Sequence, residues 1–210
     1  MSSLICIMKS QHTYQGGFFM IFDWKNNKEE AIRNGISEKQ NLGSARIIMN
    51  ADAGVVSGHT FLNFPTLEFE KGSLIKDCIF ENCKNITFDD CRVDSCKLKN
   101  AGFIFCRESK FTNSTFSDLF CDDDTLICLD YSDISYCNFN NIRLTDDSIL
   151  IDGASNSLIE HCTFSDIKTE RSDGEIILCE ETEGLLFKRK VKYSIVDEAS
   201  CTGLDEIEII

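Results

Sequence analysis

The chain has 210 residues, 42% of them hydrophobic, which suits one domain with a core of its own. No apolar run reaches the eighteen residues of a membrane-spanning helix, so no membrane contact is expected. The net charge of −14 is confined to one region: residues 1–60 hold six Lys/Arg and five Asp/Glu, whereas residues 61–210 hold fifteen and thirty. So acidic a surface argues against direct binding to a phosphate backbone.

The first sixty residues differ from the rest. Only one Lys precedes residue 25, and Gly16-Gly17-Phe18-Phe19-Met20-Ile21-Phe22 is too short to span a bilayer. The start lacks the basic and small-residue features of a signal peptide, which points to a cytoplasmic location. Lys25 to Ile36 reads as a short helix, opened by Asn26-Asn27 and ended at Gly35. Residues 1–60 are expected to cap the repeat region on their C-terminal side.

From residue 75 a nine-residue phrase recurs six times. It begins as Ile75-Lys-Asp-Cys78-Ile-Phe80-Glu-Asn82-Cys83 and returns at Val93, Phe111, Ile134, Ile159 and Val191. The consensus is apolar, two variable, Cys/Ser, variable, Phe/aliphatic, variable, Asn/Asp, apolar. The spacings of 18, 18, 23, 25 and 32 residues leave the interior of the phrase unchanged, as in a stacked repeat with loops of unequal length. Alternation around Cys-x-Phe has the period of a strand. A second strand-like run falls between copies: Gly102–Cys106, Thr125–Leu129, Ser148–Asp152 and Glu175–Cys179. Each turn therefore holds at least two short strands, and successive turns pair in parallel. The predicted fold is all-β, a parallel β-helix (β-solenoid) of about six coils over residues 61–200. Residues 201–210 form a tail or closing strand.

Asn82, Asn100, Asp118, Asn141 and Asp166 share one position, where a tight left-handed corner favours Asn and Asp, and they are expected to stack as a ladder. Cys78, Cys96, Cys137 and Cys162 share another with Ser114 and Ser194, which fits small residues packed inside a coil. Reduced thiols follow from that reading. The five-residue gaps Cys78/Cys83 and Cys91/Cys96 differ from the two-to-four-residue gaps of zinc sites.

The run Asn156-Ser-Leu-Ile-Glu-His-Cys-Thr-Phe-Ser-Asp166 resembles a coil of the right-handed parallel β-helix, pectate-lyase-like superfamily, over about residues 60–200. Ile86-Thr-Phe88, Cys91-Arg-Val93, Cys96-Lys-Leu98 and Ala101-Gly-Phe103 resemble pentapeptide-repeat proteins until the period lapses at Glu108. The first resemblance implies a right-handed coil and carbohydrate-active relatives. The second implies an acidic rod of the kind that mimics DNA on topoisomerase.

Chemistry, if present, is expected in an acidic column ahead of the second strand. Asp123-Asp124 precede Thr125, Asp146-Asp147 precede Ser148, and Asp173-Gly174 precede Glu175. At a coil rise of about 4.8 Å, Asp123, Asp146 and Asp173 stack, with Asp124 beside Asp147. Three readings stay open: solvated loop carboxylates, calcium ligands (Asp123, Asp124, Asp146, Asp147, Asp173), or a catalytic group of Asp123, Asp146 and Asp173 with Arg143 and Lys168. No other cofactor is expected, because neither a phosphate-cradling glycine loop nor a histidine triad is present. His12, His59 and His161 are scattered, and His161 reads as an exposed strand residue.

The function expected first is a non-catalytic binding module with a protein partner, a basic nucleic-acid-binding protein whose groove the acidic rod occupies. The alternatives are a polysaccharide lyase or glycoside hydrolase acting on a glycan, and a trimeric phage or surface adhesin fragment.

Overall fold

In the computed structural model each of the first five copies of the phrase makes two sides of a three-sided coil. The structure describes residues 20–41, 44–49, 54–69, 71–122, 124–145, 148–153, 157–170, 177–179 and 195–196. The coils stack as a parallel β-solenoid of about five turns. Six copies predict about six coils; the sixth contributes the strand Ile195–Val196, and the expected 201–210 tail lies outside the described residues.

Among the described residues the first sheet has six three-residue strands, Val55–Ser57, Leu74–Lys76, Arg92–Asp94, Lys110–Thr112, Asp133–Ser135 and Leu158–Glu160. The second has eight, among them Ile79–Glu81, Lys97–Lys99, Thr115–Cys121, Asn138–Leu144 and Thr163–Thr169. The third, also of eight strands, includes Asn85–Asp89, Phe103–Arg107, Thr125–Asp130, Ile149–Gly153 and Ile177–Cys179. The repeat pattern predicts at least two strands per turn, and the third arises because the phrase itself bends.

That bend has a local cause. Asp77, Ser95, Asn113, Tyr136 and His161 sit between the first and second sheets with φ of 53, 56, 52, 55 and 53°. A left-handed residue turns the strand through a corner, and the next residue points inward. That inward residue is Cys or Ser, and it donates back across the corner: Cys78 Sγ to the Lys76 carbonyl (3.3 Å), Cys96 Sγ to Asp94 O (3.4 Å), Ser114 Oγ to Thr112 O (2.9 Å). Cys and Ser interchange because both are small and both carry a donor that satisfies a buried carbonyl.

Left-handed residues also make the other two corners, although after the second sheet the inward residue is mostly apolar, as at Ala101, Leu119, Ile142 and Ile167. Asn63, Asn82, Asn100, Asp118, Asn141 and Asp166 are left-handed after the second sheet, and Gly72, Asp90, Glu108 and Tyr131 after the third. The expected ladder is present: Asn100 Nδ2 donates to Asn82 Oδ1 (2.7 Å), Asn82 Nδ2 to Asn63 Oδ1 (3.4 Å) and Asn141 Nδ2 to Asp118 Oδ1 (2.6 Å). His161, expected within a strand, is instead an exposed corner residue.

Register equates the repeat spacing with coil length. Ile75, Val93, Phe111, Ile134 and Ile159 are successive partners in the first sheet. Phe80, Leu98, Phe116, Phe139, Phe164 and Val196 are successive partners in the second. All six copies are therefore aligned. The phenylalanines stack nearly parallel along the axis, Phe116 on Phe139 at 4.7 Å and Phe139 on Phe164 at 4.8 Å between ring centres, with Phe22, Phe61 and Phe80 continuing the column at the other end. Offset stacking adds to the area each ring buries.

The pentapeptide phase slips earlier than expected. It places Phe103 inside, but Phe103 is 40% exposed and Ile104 is buried. Beside the slip lies Gly102, the counterpart of Lys84 in the preceding coil, whose Cβ, had it one, would lie 2.4 Å from the Lys84 carbonyl oxygen.

Before residue 60, the helix Lys28–Arg33 buries Ala31, and Trp24 lies under the Lys28 ammonium at 4.7 Å. The strands Ile36–Asn41 and Ser44–Met49 pair antiparallel, and the latter joins the third sheet beside Leu67–Phe69.

Candidate binding surface on the acidic coils

Five equivalent corners, at Asp77, Ser95, Asn113, Tyr136 and His161, divide the stack into whole coils. Residues 77–112 make two coils with six Asp/Glu and six Lys/Arg, net 0. Residues 113–160 make the next two, with ten Asp/Glu against Arg143 alone, net −9. The acidity therefore begins at one coil boundary.

In the neutral coils the charges are paired across rungs. Arg107 Nε and Nη2 donate to the two carboxylate oxygens of Asp89 at 3.0 and 2.6 Å, and Lys71 Nζ lies 3.6 Å from Asp89 on the other side. The Arg107 guanidinium holds the Asp89 carboxyl below the usual carboxylate range. Lys99 Nζ reaches Glu81 at 3.5 Å. Asp94 is held down by hydrogen bonds from Asn113 Nδ2 and Thr112 Oγ1, both at 2.9 Å.

In the acidic coils Asp118, Asp122 and Asp124 are exposed, while Asp130, Asp133, Asp152 and Glu160 are half-exposed on outward positions. Arg143 and Lys168 are direct partners in the second sheet, as their shared repeat position predicts. Each lies 3.5 Å from the same oxygen, Asp166 Oδ1, a carboxylate belonging to the corner ladder. Asp124 is the one calcium candidate within the described residues; Asp123, Asp146, Asp147 and Asp173 lie outside them. In the strands after these loops Thr125 pairs with Ile149, one residue beyond the Ser148 used to align the column. Among the described residues no three His, Cys, Asp or Glu side chains converge as a metal site.

The cysteines are placed by packing. Cys78 and Cys83, or Cys91 and Cys96, occupy different corners, because one three-residue strand separates each pair. Burial pushes the Cys83 and Cys91 thiols up to about 11 and Cys106 well above an ordinary thiol, so none of these three is a ready nucleophile. His59 takes the thiol position at its corner, and burial lowers its pKa, which keeps it neutral.

Sequence reasoning passed over the outward aromatics. Tyr131 and Tyr136 are 58% and 57% exposed, both in left-handed corners, and Tyr136 stacks on His161 with ring centres 4.8 Å apart. Phe103 and Phe105 stack on the third sheet, and Phe120 is 54% exposed. Alternation in Phe103–Arg107 carried the signal for Phe103 and Phe105. The second variable position of the phrase, filled by Asp77, Ser95 and Asn113 in earlier coils, carried it for Tyr136.

No family model and no curated protein matches the chain.

Proposed function

We propose that the protein is a non-catalytic binding module whose acidic coils occupy a basic groove of a partner protein, in the manner of a nucleic-acid mimic. The carrying observation is the charge step at Asn113. Two coils rise about 10 Å, so the net −9 of residues 113–160 amounts to one charge per about 1.1 Å of axis. Duplex DNA carries one per about 1.7 Å. The acidic half thus matches or exceeds the linear charge density that a basic groove is built to meet, on a scaffold that loses little entropy on docking. The neutral half, with its cross-rung ion pairs, carries the acidic half without adding to its field. A cytoplasmic setting is part of this proposal.

The test is capture from host lysate on tagged protein, at low and moderate salt and with competing duplex DNA. A basic nucleic-acid-binding protein should be retained at low salt and released both by salt and by DNA. Failure to retain such a protein, or retention indifferent to salt and DNA, would overturn the reading.

A further inference from the structure

Tyr131 and Tyr136 occupy the two corners at either end of the strand Asp133–Ser135, with φ of 50 and 55°. Equivalent corners in earlier coils hold Gly72, Asp90 and Glu108 on one side and Gly58, Asp77, Ser95 and Asn113 on the other. A bulky ring is unfavourable in this conformation, and Asn, Asp or Gly serves the turn as well or better. More than half of each tyrosine is in solvent, so burial does not compensate for the strain. The turn itself does not call for these rings, and strain of this kind is characteristic of binding and catalytic positions.

The surroundings define what the rings would meet. Asp130 directly precedes Tyr131, and Asp133 lies on the strand between the two tyrosines. Glu160 faces Ser135 in the next coil, its carbonyl accepting the Tyr136 N–H at 3.1 Å. His161 extends the Tyr136 ring into a stacked pair, 12° from parallel. Exposed rings with acidic residues close by in sequence and in the next coil suit a guanidinium, which stacks on rings and pairs with carboxylates at once, better than an ammonium.

We propose that Tyr131, Tyr136 and His161, with Asp130, Asp133 and Glu160, form a recognition edge for arginine side chains on a basic protein segment. This rests on the binding-module reading and assigns the partner's contact chemistry. Tyrosine is the kind of residue that concentrates binding energy at such an edge, while the surrounding acids supply long-range attraction.

The experiment is a fluorescence-anisotropy titration of the full chain with labelled nona-arginine and nona-lysine. The proteins are the wild type, a Tyr131→Asn/Tyr136→Asn variant and an Asp133→Asn/Glu160→Gln variant. Wild type should prefer nona-arginine. The double tyrosine variant should lose about 2- to 5-fold in nona-arginine affinity for each ring, with little change for nona-lysine and no fall in melting temperature. The acid variant should weaken both peptides. Equal affinity for the two peptides, untouched by the tyrosine changes, overturns the edge and leaves the electrostatic reading standing. No binding of either peptide at low salt overturns both. Tyrosine-dependent binding of a neutral glucan oligosaccharide, with unchanged peptide binding, overturns the edge in favour of sugar stacking.

Discussion

Replacing Asn100 by Ala tests what holds the corners. Asn100 has φ of 46°, and its Nδ2 donates 2.7 Å to Asn82 Oδ1. Alanine in that conformation costs about 1–2 kcal/mol that Asn largely escapes through its short polar side chain. Losing an exposed hydrogen bond adds about 0.5–1 kcal/mol. The sum, about 1.5–3 kcal/mol, should lower the melting temperature by roughly 4–10 °C in a chain of this size. Asn100→Gly separates the two contributions, because glycine accepts the backbone conformation and lacks only the ladder. It should fall between wild type and the alanine variant. Stacked repeats can unfold in stages, so urea unfolding should be followed both by far-ultraviolet circular dichroism and by fluorescence of Trp24, the single tryptophan. An alanine variant as stable as wild type, or more stable than the glycine variant, would refute the left-handed corner as the origin of the bend.

Gly102→Ala should be destabilising by about 1–3 kcal/mol, because the new Cβ meets backbone of the preceding coil at 2.4 Å; an unchanged thermal midpoint would show that the coils do not approach so closely. Cys91→Ser should be well tolerated, since Ser73 and Ser109 fill the same corner in adjacent coils. It should also change the alkaline profile. A folded-state thiol pKa of about 11 against an ordinary value of about 8.5 means stability is intact below pH 8.5 and is lost as pH rises through 11. Urea midpoints between pH 7 and 11 should fall less steeply in the serine variant.

Much of the fold was legible because the phrase states its own register. Phe80 to Val196 recur at one position, and the structure pairs them without a slip. The third sheet was hidden because a left-handed residue leaves no gap in the alternation: Ile75, Cys78 and Phe80 read as one segment, yet Asp77 turns the chain between them. One of the five residues at that corner, Tyr136, is a poor left-handed residue, and with His161 read as a strand residue the position was obscured as a corner. The acidic column was harder to read. Alignment through loops of unequal length fixes no register, and Thr125 in fact pairs with Ile149. The Arg143–Lys168 pair was legible because it lies inside a strand, where sequence spacing fixes neighbours.

Two of the three corners of each coil are made locally, from one left-handed residue, one small inward donor and the carbonyl two residues back, and the third from a left-handed Asn or Asp. A complete 18-residue coil such as 77–94 therefore carries everything needed for its own turning, and meets its neighbours through the same backbone ladder at either end. Duplicating one such segment in the gene would insert a rung without rewriting those beside it. The molecule's length is thus a quantity that heredity can change in whole steps, each about 4.8 Å, as a rule is lengthened by adding divisions.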